Sequence, residues 1–219
     1  MTRYIVCSIL ILWCSFDSRL QGQTPRPEFA SGLIRLLREK SVQDDLKLTA
    51  DQLSQLTKFR TNLYKQNFLS QIPFNDKEAV DEARAQWNAV VDAALKDFLS
   101  ATQVKRLKQI DLQVKSNTGW GLLTVVSTAS ISKELAISDE QKTKLEEVRN
   151  IIRSESPKLS MERSTSGREG YNTKLKAFRE INNRKVEEVL TAQQKAKWIE
   201  MIGSKFEGLV DLDNDLYGK

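Results

Sequence analysis

Leu48-Thr49-Ala50-Asp51-Gln52 is the stretch on which the fold turns. Its phrase returns as Leu99-Ser100-Ala101-Thr102-Gln103, as Ile137-Ser138-Asp139-Glu140-Gln141 and as Leu190-Thr191-Ala192-Gln193-Gln194. Physically each phrase is a helix start. The Ser or Thr hydroxyl accepts an orphan N–H of the first turn, and the Gln three residues on reaches back to the N–H of the cap residue. The Leu or Ile before the cap holds the position of a hydrophobic staple, which Leu53 and Val104 can answer and Lys142 and Lys195 cannot answer as well.

The sequence around these phrases also recurs. At an offset of 89 residues Gly32 matches Gly121, Val42 matches Ile131, Leu46 matches Leu135, Leu56 matches Leu145 and Arg60 matches Arg149. At an offset of 91, Trp87 matches Phe178, Val90 matches Ile181 and Leu107 matches Trp198. The offset changes between these blocks, where Pro73 and Pro157 predict a loop. The chain reads as two units, 31–118 and 119–208, each with two motifs.

Helical periodicity fills both units. Leu53, Leu56, Phe59 and Leu63 share one face of a helix that must end before Pro73. Asn75 and Glu78 form a further capping box, opening a helix with the stripe Val80, Ala83, Trp87, Val90, Ala94 and Phe98. Val104, Leu107, Ile110 and Val114 follow the second motif. The other unit repeats this with Leu145, Val148 and Ile152, then Tyr171, Leu175, Phe178 and Val189, then Trp198, Ile202 and Phe206. Residues 31–43 and 121–133 read as shorter helices, and the polar, Ser-rich 154–170 reads as a flexible connection. No strand-like alternation of useful length occurs. The expected class is all-α, in antiparallel long-helix hairpins or a bundle.

Arg3 precedes the apolar run Tyr4–Cys14, and the polar stretch Ser15–Gln23 follows it. That order predicts a secretory signal peptide over 1–22, a linker over 23–30 and an exported body, periplasmic or extracellular. An uncleaved amino-terminal anchor is the alternative. A spanning helix needs about 20 apolar residues, which no later stretch supplies, so no stable membrane span is expected after cleavage.

Composition removes much chemistry. The chain of 219 residues has no His, and its two Cys, Cys7 and Cys14, fall inside the predicted signal. Ser-His and Cys-His couples and the usual zinc ligand sets are therefore excluded from the body. With nine Gly, Gly-rich phosphate loops are also disfavoured. No catalytic residue, cofactor or metal is predicted, and the chain is not expected to be an enzyme. The net charge of +5 is spread among interleaved acids, so no nucleic-acid partner is expected. Lys105, Arg106, Lys108 and Lys115 form the best basic patch, a client-binding candidate interrupted by Asp111. Glu146-Glu147 and Glu187-Glu188 point about 100° apart on a helix and do not converge. The acidic tail 209–219 opens like a calcium loop at Asp211, Asp213 and Asp215, but Leu216 stands where the loop needs Gly.

Four L/I-T/S-x-x-Q phrases on amphipathic helices in an exported chain resemble the LTxxQ-motif family of Gram-negative envelope proteins, the Spy/CpxP group, over roughly 33–208. That resemblance implies helical hairpins that dimerise into a curved cradle. It also implies an ATP-independent chaperone like Spy or an envelope-stress regulator like CpxP, binding unfolded or partner proteins. The shaping residues it carries over are Leu48, Thr49, Gln52, Leu99, Ser100, Gln103, Ile137, Ser138, Gln141, Leu190, Thr191 and Gln194. Family members carry one motif pair where this chain has two, which implies a homodimer or a pseudo-dimer within one chain. A zinc-binding relative is not matched, because the body lacks His and Cys. The alternative function is a partner-specific envelope regulator or structural protein without general chaperone activity.

Overall fold

The computed structural model of the chain describes residues 31–65, 77–118, 120–208 and 210. The expected signal peptide, the linker, Pro73, Asn75 and the aspartates of the tail lie outside the described residues. Within them the protein is all-α, with no strand. Two short helices, α1 (Ser31–Leu36) and α2 (Lys40–Asp45), lead into α3 (Ala50–Lys65), α4 (Lys77–Phe98) and α5 (Ala101–Ser116). The order then recurs as α6 (Leu122–Val126), α7 (Ala129–Glu134), α8 (Asp139–Thr165), α9 (Gly167–Val189) and α10 (Ala192–Ile202). None of these helices is long and apolar enough to cross a membrane.

The first motif of each unit is entered through a tight helix stop that carries no glycine. After α2 the Leu48 N–H bonds the Gln43 carbonyl at 3.0 Å and the Lys47 N–H bonds Asp44 at 3.0 Å. After α7 the Ile137 N–H bonds Ser132 at 2.9 Å and the Ala136 N–H bonds Lys133 at 3.0 Å. These are Schellman closures, which put the residue past the helix end in the left-handed region. Lys47 and Ala136 both sit there, at φ 51°. Nothing but the turn geometry marks them, since Gly is the residue such a position favours.

Two apolar cores form, one per unit. Leu37, Val42, Leu56, Val91, Leu95 and Leu107 lie in the first. Leu123, Ile131, Leu145, Ile152, Val186 and Trp198 lie in the second. Most of these pairs stand at matching offsets. These are Val42 with Ile131, Leu56 with Leu145, Leu95 with Val186 and Leu107 with Trp198, whereas the counterpart of Val91 is Asn182, equally buried but polar. Trp87 and Phe178 pack half-buried against the cores, in keeping with their apolar stripes, and Trp120 does so from the turn before α6.

Four local expectations are corrected. Residues 154–165 are helical rather than a flexible connection, and α8 runs through Pro157 to meet α9 across Ser166. The serines adapt to the helix by bonding back: Ser154 Oγ donates to the Ile151 carbonyl at 2.8 Å and Ser156 Oγ to Ile152 at 2.7 Å. Val90 does not join the core stripe of α4. It is 48% exposed, while its neighbour Val91 is fully buried. The leading helices are each split in two, as α1 with α2 and α6 with α7. Phe206 is not part of the last helical stripe. The chain leaves α10 at Gly203, which has φ +63°, and Phe206 packs on the core of the other unit.

Helix α5 joins the units. It packs against α6 and α10 as well as α1 and α4. Gln113 clamps the segment after α10, donating to the carbonyls of Ile202 at 2.7 Å and Ser204 at 2.8 Å and accepting the Phe206 N–H at 2.8 Å. On the other side, Asn183 of α9 accepts the Leu122 N–H at 2.7 Å and so caps α6. Gly121 between the units has φ +65°, and a Cβ there would overlap Asn183 Oδ1.

Candidate functional site

The four motifs meet in pairs, and each glutamine does more than cap its own helix. Gln52 Oε1 accepts the Thr49 N–H at 3.0 Å, and Thr49 Oγ1 accepts the Gln52 N–H at 3.2 Å. The Gln52 amide nitrogen then donates to the Phe98 carbonyl at 2.8 Å and to Gln103 Oε1 at 2.8 Å. Gln103 answers in kind, donating to the Leu46 carbonyl at 3.0 Å and to Gln52 Oε1 at 3.2 Å. Ser100 completes its own capping box with Gln103. Both amide hydrogens and both oxygen lone pairs of each side chain are thereby used. The ring ties the starts of α3 and α5 to the ends of α4 and α2.

The second unit repeats the arrangement. Gln141 donates to the Val189 carbonyl at 2.8 Å and to Gln194 Oε1 at 2.7 Å. Gln194 donates to the Leu135 carbonyl at 3.1 Å and to Gln141 Oε1 at 2.9 Å. Ser138 and Thr191 make the caps. Leu99, Ile137 and Leu190 are core residues, and Leu48 packs against the first core. Each phrase thus combines a core anchor, a cap and one half of an amide lock.

The basic patch is resolved into separate roles. Arg106 grips Asp45 of α2 through Nε at 2.7 Å and through its second nitrogen at 2.9 Å, and also donates to the Ser204 carbonyl at 2.6 Å. That bidentate hydrogen bond holds the Asp45 carboxyl below its usual range and raises the Arg106 guanidinium. At the matching positions Lys197 pairs with Glu134 at 2.8 Å, lowering the Glu134 carboxyl through the same kind of contact. Arg106 is therefore a second tie between α2 and α5 of its unit, beside the Gln103 bond to Leu46. Lys115 pairs with Asp111 at 2.7 Å and Lys108 stands 3.5 Å from Asp92. Of the predicted four, Lys105 alone is exposed with no ion-pair partner among the described residues.

Lys105 and Lys108 instead belong to a different feature, a cavity of about 690 Å³ between the units. Leu99, Ala101, Val104 and Leu112 from the first unit and Met201 from the second supply its apolar wall. Lys96 from the last turn of α4 joins Lys105 and Lys108 around it, and Glu134, Lys197 and Glu200 face them from the second unit. Lys96, Leu112, Lys197, Glu200 and Met201 could not be gathered from sequence spacing, because they converge only through the packing of α5 on α10. Among the described residues no group of three or more His, Cys, Asp or Glu is placed to hold a metal ion.

Compared with family models, with characterised proteins and with solved structures, the chain matches none.

Proposed function

We propose that this chain is an exported protein-binding protein of the LTxxQ type, which holds partly unfolded clients on apolar and basic helix faces without ATP or a covalent step. The supporting observation is a set of large apolar side chains left in solvent on the longer helices. Val90 is 48% exposed and its counterpart Ile181 is 45% exposed, so the two units present an apolar side chain outward at the same position. Ile151, Met161 and Ile199 add to these, with Met161 at 72%. Charged residues interleave with them, which suits long-range attraction followed by short-range apolar contact. The amide locks and core anchors account for the motif residues as shaping elements, which frees the exposed faces for binding.

The test is light scattering from an aggregating client with the chain at stoichiometric amounts. Suppression that falls when Val90 and Ile181 are both changed to Ser supports the reading. No suppression by the unaltered chain overturns it, and a single tight ligand in an envelope pull-down would favour the partner-specific regulator. Export is checked by amino-terminal sequencing of the mature chain, expected to begin near Gln23.

A further inference from the structure

We infer that the cavity between the units is a binding site for a soluble single-chain amphiphile with an anionic head, of the fatty-carboxylate class. Its volume, about 690 Å³, lies in the range of small-molecule sites. The wall formed by Leu99, Val104, Leu112 and Met201 matches an acyl chain. Charge selects the head group. Among the described residues four lysines line the cavity against two glutamates, and Lys197 already neutralises Glu134 at 2.8 Å. Lys96 and Lys105 have no ion-pair partner among the described residues, which leaves two ammonium groups to receive an anion. Ala101 brings the positive end of the 16-residue α5 to the same wall. Glu200, the remaining acid, stands on the opposite wall in α10 and repels the head from that side.

The lining also argues against an extended peptide as occupant. Apart from Leu99 it is made of helix residues, and among the described residues it offers no sheet edge to a peptide backbone. Among the described residues Gln109 is the only neutral polar side chain in it. A peptide strand laid along the apolar wall would bury N–H and C=O groups that the Leu99, Val104, Leu112 and Met201 side chains cannot partner, at a cost an acyl chain does not incur.

Calorimetric titration of the full chain with laurate, below its micelle concentration, tests the site. One-to-one binding is expected, with at least about tenfold weaker binding of dodecyltrimethylammonium, whose head is cationic. Lys96→Glu with Lys105→Glu should weaken laurate by about tenfold or more, and Ala101→Trp, which fills the cavity from an exposed position, should abolish it. Circular dichroism melts of both variants check that the fold persists. Equal affinity for the cationic amphiphile, or laurate binding unchanged in both variants, overturns the inference. So does tighter binding of an acetylated alternating Leu-Glu octapeptide, or binding seen only with phosphatidylglycerol vesicles. The same variants tested in the client assay separate the two readings: absent laurate binding with intact suppression removes this site alone.

Discussion

Gln52 and Gln103 exchange amide hydrogen bonds across the start of two helices, at 2.8 and 3.2 Å. Each remains bonded to the cap residue of its own helix. A capping box needs only an acceptor at its third helical position, and Glu serves as well as Gln. The reciprocal pair requires the NH₂ group as well, which explains why all four phrases carry Gln.

Substitution by Glu separates the two roles. Gln52→Glu or Gln103→Glu keeps the cap but removes both donors, strands the Phe98 or Leu46 carbonyl and places a carboxylate against the partner's oxygen. We expect each to cost about 2–3 kcal/mol by urea unfolding, against about 0.5–2 kcal/mol for the cap change Thr49→Ala. A Glu variant as stable as the parent would show that the lock contributes nothing beyond the cap.

Asn182 is 1% exposed and neither atom of its amide has a hydrogen-bond partner. Its counterpart is Val91, fully buried in the first core. Asn182→Val should stabilise the chain by about 1–3 kcal/mol, the cost of an unsatisfied buried amide. Val91→Asn should destabilise it by a similar amount, and thermal melts of the two variants should move in opposite directions.

Lys47 and Ala136 hold left-handed backbone at φ 51° without being glycine. Lys47→Gly and Ala136→Gly should each raise stability by about 0.5–1 kcal/mol through relief of the Cβ clash. The reverse logic applies at Gly121, where Gly121→Ala meets both φ +65° and the Asn183 side chain. A cost of about 1–3 kcal/mol is expected there, and a neutral result would refute the close approach.

Arg106 and Lys105 are neighbours in sequence with opposite consequences. Arg106→Ala loses the bidentate grip on Asp45 and the bond to the Ser204 carbonyl, and should cost about 1–3 kcal/mol. Lys105→Ala should stay within about 0.5 kcal/mol. The acid dependence follows from the same pair. Asp45 titrates lower in the folded chain than in the unfolded one, so its contribution is complete above the ordinary carboxylate range. It is lost as pH falls through the lowered folded value. Melts should therefore hold steady from neutral pH to about 5 and decline below, with a shallower decline in Asp45→Asn.

The helical class, the helix starts at Thr49, Ser100, Ser138 and Thr191, and most core residues were legible from the order of residues alone. Caps act within four residues and apolar stripes repeat at the helical period, so both leave a mark in the linear chain. The helical run through Pro157 left no such mark. There, packing of α8 along α9 and back-bonded serines outweigh a poor local propensity. The crossing of Phe206 to the first core was equally hidden, because Gln113 directs it from far along the chain.

The linear chain also showed Arg106 and Lys105 as one basic cluster, although a turn of about 100° per residue sends them to different neighbours. Asp45 claims one, and the inter-unit cavity claims the other. The four motifs were determined by sequence as separate helix starts, since a cap is a local bond. Only tertiary structure made them two locks, because Gln52 reaches Gln103, and Gln141 reaches Gln194, across half a unit of intervening chain. The cavity beside α5 arises the same way, from which helices pack together.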